Sequence, residues 1–171
     1  AAQLEILAKA GAAGCQVIDV ELQTAVRLKP AQLEKLRSKA AIILSFHDFR
    51  ATEKLDETLK KMSAYPADFY KVVGTARSLY DNVTMMRFLE KHRDNHSLVG
   101  ICMGEQGIIS RVLSVRAGSR FTFAAVTAGE KTAPGQVTAQ DLRSTYRIDQ
   151  VDAATKVFGV VGDPISHSLS P

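Results

Sequence analysis

Cysteine is scarce in this chain, long apolar runs are missing, and no stretch carries charge of one sign. The two cysteines among 171 residues, Cys15 and Cys102, have no Cys-x-x-Cys spacing, so neither a disulfide scaffold nor a thiolate metal site is expected. Both lie in apolar, strand-like runs, which predicts buried free thiols in a reducing compartment. No apolar run approaches the roughly 18 to 20 residues that a bilayer span requires, and no signal-peptide pattern opens the sequence. Low-complexity segments and internal repeats are absent too, apart from the alternation of elements described below.

Lys and Arg number 22 against 18 Asp and Glu, a formal net charge of +4. They alternate with acids, as in Glu34-Lys35-Leu36-Arg37 and Glu53-Lys54-Leu55-Asp56-Glu57, which is the pattern of solvated helix faces. A clustered basic face is missing, so no nucleic-acid partner is expected. The small positive balance suits an anionic small-molecule substrate.

What is present is a regular beat. Apolar, β-branched runs at Cys15 to Glu21, Ala41 to Phe49, Phe69 to Thr75, Leu98 to Met103 and Phe121 to Val126 predict five strands. Helical periodicity falls between and beyond them, at 2–10, 31–38, 54–62, 77–92, 108–115 and 139–146. Strand starts recur every 23 to 29 residues, about one βα unit. The strands are apolar on both faces, as parallel strands covered by helices must be. The fold class is therefore α/β.

Spacing alone does not separate an open doubly wound sheet from a closed (β/α)8 barrel. The chemically capable residues do: His47 and Asp48 end the second run, Lys71 lies in the third, Arg111 follows the fourth, and the 131–136 loop follows the fifth. Convergence at the C-terminal ends of strands is the habit of a barrel. The reading is thus the C-terminal five βα units of a TIM barrel, with about three units upstream. The chain starts at Ala1 without an initiator Met and stops at Pro171 inside a new turn. It is read as a piece of a longer protein.

Lys71 stands in the apolar run Phe69-Tyr70-Lys71-Val72-Val73, so its ammonium is either paired or desolvated, and a neutral amine there is a nucleophile for a ketone. The alternative is a lysine snorkelling to solvent. His47 ends a buried strand and fits a general acid and base, or a structural imidazole. Arg111, in the first turn of a helix, can fork onto a carboxylate or make a surface salt bridge. Thr132 and Gln136 flank Ala133-Pro134-Gly135, a turn able to fold over a ligand or simply to connect two elements.

Ser45-Phe46-His47-Asp48-Phe49, Phe69-Tyr70-Lys71, Gly107-Ile108-Ile109-Ser110-Arg111 and Ala133-Pro134-Gly135-Gln136 resemble, in order and spacing, the motifs of type I 3-dehydroquinate dehydratases. That resemblance runs to about Tyr146. It implies an imine between Lys71 and the substrate ketone, proton transfer by His47, and release of 3-dehydroshikimate, with no cofactor. It further implies that Arg111 holds the substrate carboxylate, that Gln136 and Thr132 bond ring hydroxyls, and that Met103 lines the pocket. The family usually has Ser at the Thr132 position. Carboxylate and arginine residues that orient the histidine and bind substrate are expected on the missing upstream strands.

After Tyr146 the pattern changes. Val157-Phe158-Gly159-Val160-Val161-Gly162-Asp163-Pro164-Ile165-Ser166-His167-Ser168-Leu169-Ser170-Pro171 resembles the N-terminus of shikimate dehydrogenases, in which a Ser-x-Ser pair binds the shikimate carboxylate; here it is Ser168 and Ser170. The implied organisation is residues 1–149 as dehydratase barrel, 150–155 as linker and 156–171 as the start of a dehydrogenase, beginning with a strand at 156–161. NADP is then implied for the dehydrogenase part beyond this stretch. The expected compartment is the cytoplasm, or the plastid stroma in a plant. The competing readings are an aldolase-like Schiff-base lyase and a noncatalytic scaffold.

Overall fold

The computed structural model describes residues 2–127, 129 and 135–160. Helix α1 (Ala2–Ala12) leads into strand β1 (Val17–Glu21), followed directly by the one-turn α2 (Leu22–Ala25) and by α3 (Pro30–Arg37). Strands β2 (Ala41–His47), β3 (Phe69–Thr75) and β4 (Leu98–Met103) then alternate with α4 (Leu55–Met62), α5 (Leu79–His92) and α6 (Ile108–Ala117), and α7 (Ala139–Ser144) comes last.

The four strands are parallel and lie in the order β1-β2-β3-β4. A doubly wound sheet reverses its strand order at a switch point. Consecutive order without reversal is that of a barrel wall, in which each crossover advances by one strand. The α/β reading and its barrel type thus have a direct topological basis.

Strand periodicity sorts the side chains onto two faces. Even-numbered residues, among them Ile18, Val20, Ile42, Leu44, Val72, Leu98 and Cys102, join the main core with Leu33, Leu36, Leu59, Met62, Met85 and Leu89 from the helices. Odd-numbered residues share the other face, where Val73, Ile101 and Met103 form a smaller apolar cluster with Phe123. Each fully buried Leu or Met in the main core contributes roughly 1.5–3 kcal/mol of transfer free energy. The helix face therefore carries the stability, which leaves the odd face able to hold polar groups.

Local signals explain where the elements begin. Pro30 occupies the first turn of α3, where its missing N–H costs nothing. Ahead of α5, the Asp81 carboxylate accepts the backbone N–H groups of Arg77 and Ser78, both at 2.8 Å. Thr138 accepts from the Asp141 N–H at 3.0 Å to start α7. Between elements, Asp68 ties three segments together: it pairs with Arg37 at the end of α3 at 2.9 Å and accepts the Ile42 N–H of β2 at 2.8 Å, just before β3 begins.

Three expectations are corrected. The run Phe121 to Val126 joins no ladder. The backbone just before the run touches β4 where the Arg120 N–H donates to the Leu98 carbonyl at 2.8 Å. Ala125 is then engaged by its own sequel, donating to the Val137 carbonyl and accepting from the Ala139 N–H, in an isolated parallel bridge with Thr138. Those groups are not available to β4. Residues 156–160 form no strand either, since no described strand offers them a ladder, and Val157, Phe158 and Val160 are exposed. Cys15 is also exposed, because β1 begins two residues later than its apolar run, whereas Cys102 is buried. Burial raises the Cys102 thiol above the ordinary cysteine range, with hydrogen bonds to Thr52 and Ser110 acting the other way.

Candidate active site

The C-terminal ends of the strands open into a cleft of about 280 Å³ on the odd-numbered face. Glu21, His47, Lys71, Arg111 and Gln136 supply its polar lining, and Val73, Ile101, Met103, Phe49 and Phe123 its apolar walls.

Strand register delivers the first three. Glu21 pairs with Ser45, Ser45 with Lys71, and His47 with Val73, so these positions stand on one face of three adjacent strands. Lys71 points into the cleft with its side chain 11% exposed, and its ammonium is paired rather than snorkelling: Nζ donates to Oδ2 of Asp19 at 2.9 Å. The same nitrogen lies 4.4 Å from the centre of the Phe123 ring, within cation–π range. His47 Nδ1 meets the Glu21 carboxylate, and the imidazole stacks with Phe49 at 6.0 Å between ring centres, the planes 18° apart.

Arg111 arrives on α6, and the residues preceding it explain its placement. A side chain at Gly107 would put its Cβ 2.4 Å from the Cys102 carbonyl oxygen, so only glycine lets α6 start this close to β4. Ser110 Oγ accepts the Cys102 N–H and donates to the Gly107 carbonyl, both at 2.8 Å. Asn82 of α5, fully buried, accepts the Ser110 N–H at 3.0 Å and donates to the Gln106 carbonyl at 2.7 Å. These bonds fix the first turn of α6 and leave Arg111 1% exposed. Burial pulls its guanidinium below the ordinary arginine range, with Cys102 acting weakly the other way. A desolvated fork of this kind suits a carboxylate, which it can meet with two parallel hydrogen bonds.

Gln136, 5% exposed, is placed by a backbone contact. Gly135 adopts φ 72°, and a Cβ there would lie 2.1 Å from the Gly104 carbonyl oxygen. The end of the loop therefore rests on the turn after β4, and Gln136 follows it into the cleft. Thr132, Ser168 and Ser170 lie outside the described residues.

Two acidic residues beside the lysine and the histidine have partners that the sequence did not foretell. Carboxylates that orient the histidine were expected only on upstream strands, yet Glu21 meets His47 within this chain. Asp19 was not singled out at all. The signal was there in Val17-Ile18-Asp19-Val20-Glu21, whose alternation puts both acids on the face opposite Ile18 and Val20. Among the described residues, no group of three or more His, Cys, Asp or Glu is placed to hold a metal ion.

A positioned amine, an imidazole with a carboxylate partner and a buried guanidinium in one cleft fit imine chemistry on an anionic carbonyl compound. The family model described as type I 3-dehydroquinase matches residues 1–153. The chain belongs to that family. It is 39% identical over 150 residues to the 3-dehydroquinate dehydratase of Dehalococcoides mccartyi, covering 86% of this chain and 66% of that protein. It is 34% identical over 170 residues to the chloroplastic bifunctional 3-dehydroquinate dehydratase/shikimate dehydrogenase of Arabidopsis thaliana, covering 98% of this chain and 28% of that one. The crystal structure of the 3-dehydroquinate dehydratase from Geobacillus kaustophilus superposes with a TM-score of 0.74 at 26% identity, over 86% of this chain and 58% of the other. This dehydroquinase chain thus spans less than two thirds of the length of these relatives.

Proposed function

We propose that this chain is the C-terminal part of a dehydratase barrel that converts 3-dehydroquinate to 3-dehydroshikimate through an imine on Lys71. The observation that carries this reading is the presentation of the Lys71 ammonium in a cleft that also holds His47 and the buried Arg111.

Arg111 holds the substrate carboxylate. Lys71 attacks the ring ketone, and loss of water from the carbinolamine leaves an iminium. This cation acidifies the neighbouring carbon, from which His47 removes a proton while electrons flow into the nitrogen. The returning pair expels the ring hydroxyl, which takes a proton and leaves as water. Hydrolysis of the new iminium frees the product and restores the lysine. Gln136 and Thr132 bond ring hydroxyls, and Glu21 holds His47 in one tautomer and orientation. Every step uses side chains alone, so the dehydratase needs no cofactor.

The stretch from residue 156 is the beginning of a shikimate dehydrogenase, joined to the barrel (1–149) by the linker 150–155. The alignment with the bifunctional Arabidopsis protein, which takes in 98% of this chain, supports this organisation. Ser168 and Ser170 then bind the shikimate carboxylate, and NADP serves the dehydrogenase part, with no residue of this stretch assigned to it. The partners are small molecules. The compartment is the cytoplasm, or the plastid stroma for a plant protein; no described helix is long and apolar enough to cross a membrane.

The test is turnover by the full-length protein. Adding 3-dehydroquinate should generate the absorbance of a conjugated enone, and both Lys71→Ala and His47→Ala should abolish it. Undiminished turnover by Lys71→Ala removes the imine from the mechanism.

A further inference from the structure

The Asp19 carboxylate is shared between two donors. Oδ2 accepts from Lys71 Nζ at 2.9 Å, and Oδ1 accepts from Ser45 Oγ at 2.5 Å. Ser45 is fully buried and is the register partner of Lys71 on the adjacent strand. Its hydroxyl stands between β1 and β3 and holds the acid at the lysine.

The surroundings of the amine single out this carboxylate. Phe123 presents a ring face to Nζ, which attracts the cation but takes no proton. Glu21, the acid of β1 that lines the cleft, is engaged with His47 Nδ1. Asp19 is thus a base in direct hydrogen-bond contact with the nitrogen that has to lose a proton before it can attack.

We infer that Asp19 is a third catalytic residue: it accepts the proton that frees Lys71 for attack and returns it to the departing oxygen, with Ser45 as its positioning residue. This inference rests on the imine reading of the cleft. Proton transfer from Nζ to Oδ2 leaves a lone pair, which forms the nitrogen–carbon bond as the carbonyl π pair moves to oxygen. Of the three ammonium protons, one stays on the iminium nitrogen and two leave in water. Asp19 carries one of those two to the departing oxygen, and the other moves there from nitrogen in the carbinolamine. Asp19 ends ionised and facing the iminium, so charge and protons balance without any outside reagent. His47 stays available for the carbon acid. The two proton transfers are thereby divided between two carboxylate-linked bases, Asp19 at nitrogen and His47 at carbon.

The test is a rapid-quench borohydride time course on the full-length protein with 3-dehydroquinate, comparing wild type with Asp19→Asn, Asp19→Ala and Ser45→Ala. Asp19→Asn should slow appearance of the Lys71 adduct by about 100-fold, the scale of general acid–base catalysis. Ser45→Ala should slow it by about ten-fold, the scale of one hydrogen bond to a charged group. In both variants, elimination from the preformed adduct should keep its wild-type rate, a separation that general loosening of the fold would not produce. Formate should restore adduct formation in Asp19→Ala. Should Asp19→Asn fail to fold, Ser45→Ala decides by the same separation of steps. A wild type that forms no adduct on Lys71 overturns the imine reading itself. Wild-type trapping matched in rate by Asp19→Asn or, in its place, Ser45→Ala overturns the inference alone.

Discussion

Glu21 and His47 meet across the seam between β1 and β2, the carboxylate of one on Nδ1 of the other, and each residue ends its strand. A carboxylate on Nδ1 favours the tautomer that carries its proton there, which makes Nε2 the acceptor. The ring is further held by Phe49. In the proposed mechanism, proton abstraction then depends on an acid 26 residues upstream and one strand away, rather than on His47 alone.

Glu21→Gln should accordingly lower kcat by about ten-fold or more, within the range that general acid–base catalysis supplies. Imine formation at Lys71 should persist, because Glu21 makes no contact with Nζ. Single-turnover measurements with borohydride quenching separate the two steps. A variant with unchanged kcat removes Glu21 from the mechanism.

Gly135 should tolerate no side chain. Its φ of 72° and the Gly104 carbonyl oxygen 2.1 Å from the position of a Cβ oppose Gly135→Ala on two independent grounds. Relieving the overlap moves the backbone that carries Gln136, so KM for 3-dehydroquinate should rise by about ten-fold, the loss of one hydrogen bond to the ligand. Steady-state kinetics of Gly135→Ala and Gln136→Ala check this, and the two variants should resemble one another.

Acid stability should show the Asp68 clasp. The Arg37 guanidinium bonded to it, with the Ile42 N–H in support, holds the Asp68 carboxyl below the usual carboxylate range, against a smaller opposing effect of burial. The folded protein thus binds this proton less readily than the unfolded chain does. Its contribution is complete above the ordinary carboxylate value of about 3.9 and is lost as pH falls through the lower folded-state value. Asp68→Asn should lower the urea midpoint at pH 7, and the gap from wild type should close in acid. A gap that stays constant with pH would assign the loss to packing instead.

The readable part of this molecule was the part governed by local pattern. Strand bounds at Phe69–Thr75 and Leu98–Met103 follow from β-branched runs, and the parallel arrangement from strands apolar on both faces. The stretch Gly107 to Arg111 stood out through its family resemblance, and the structure supplies the physical reason for two of its residues, since the backbone at Cys102 demands Gly107 and Ser110. What stayed hidden depends on contacts distant in sequence. The Asp19–Lys71 pair joins residues 52 apart through a strand between them, and nothing in the pentapeptide around Asp19 tells which cation it meets. The fifth run failed as a strand for a similar reason: residues 137 and 139 take the hydrogen bonds of Ala125.

The imine is tested most directly by reducing the full-length protein with borohydride in the presence of 3-dehydroquinate and mapping the modified peptide by mass. A single ligand-sized addition on the peptide carrying Lys71, lost in Lys71→Ala together with turnover, is the predicted result. Turnover that proceeds with Lys71 unmodified, or an adduct on a different lysine, contradicts the assignment of Lys71 as the nucleophile.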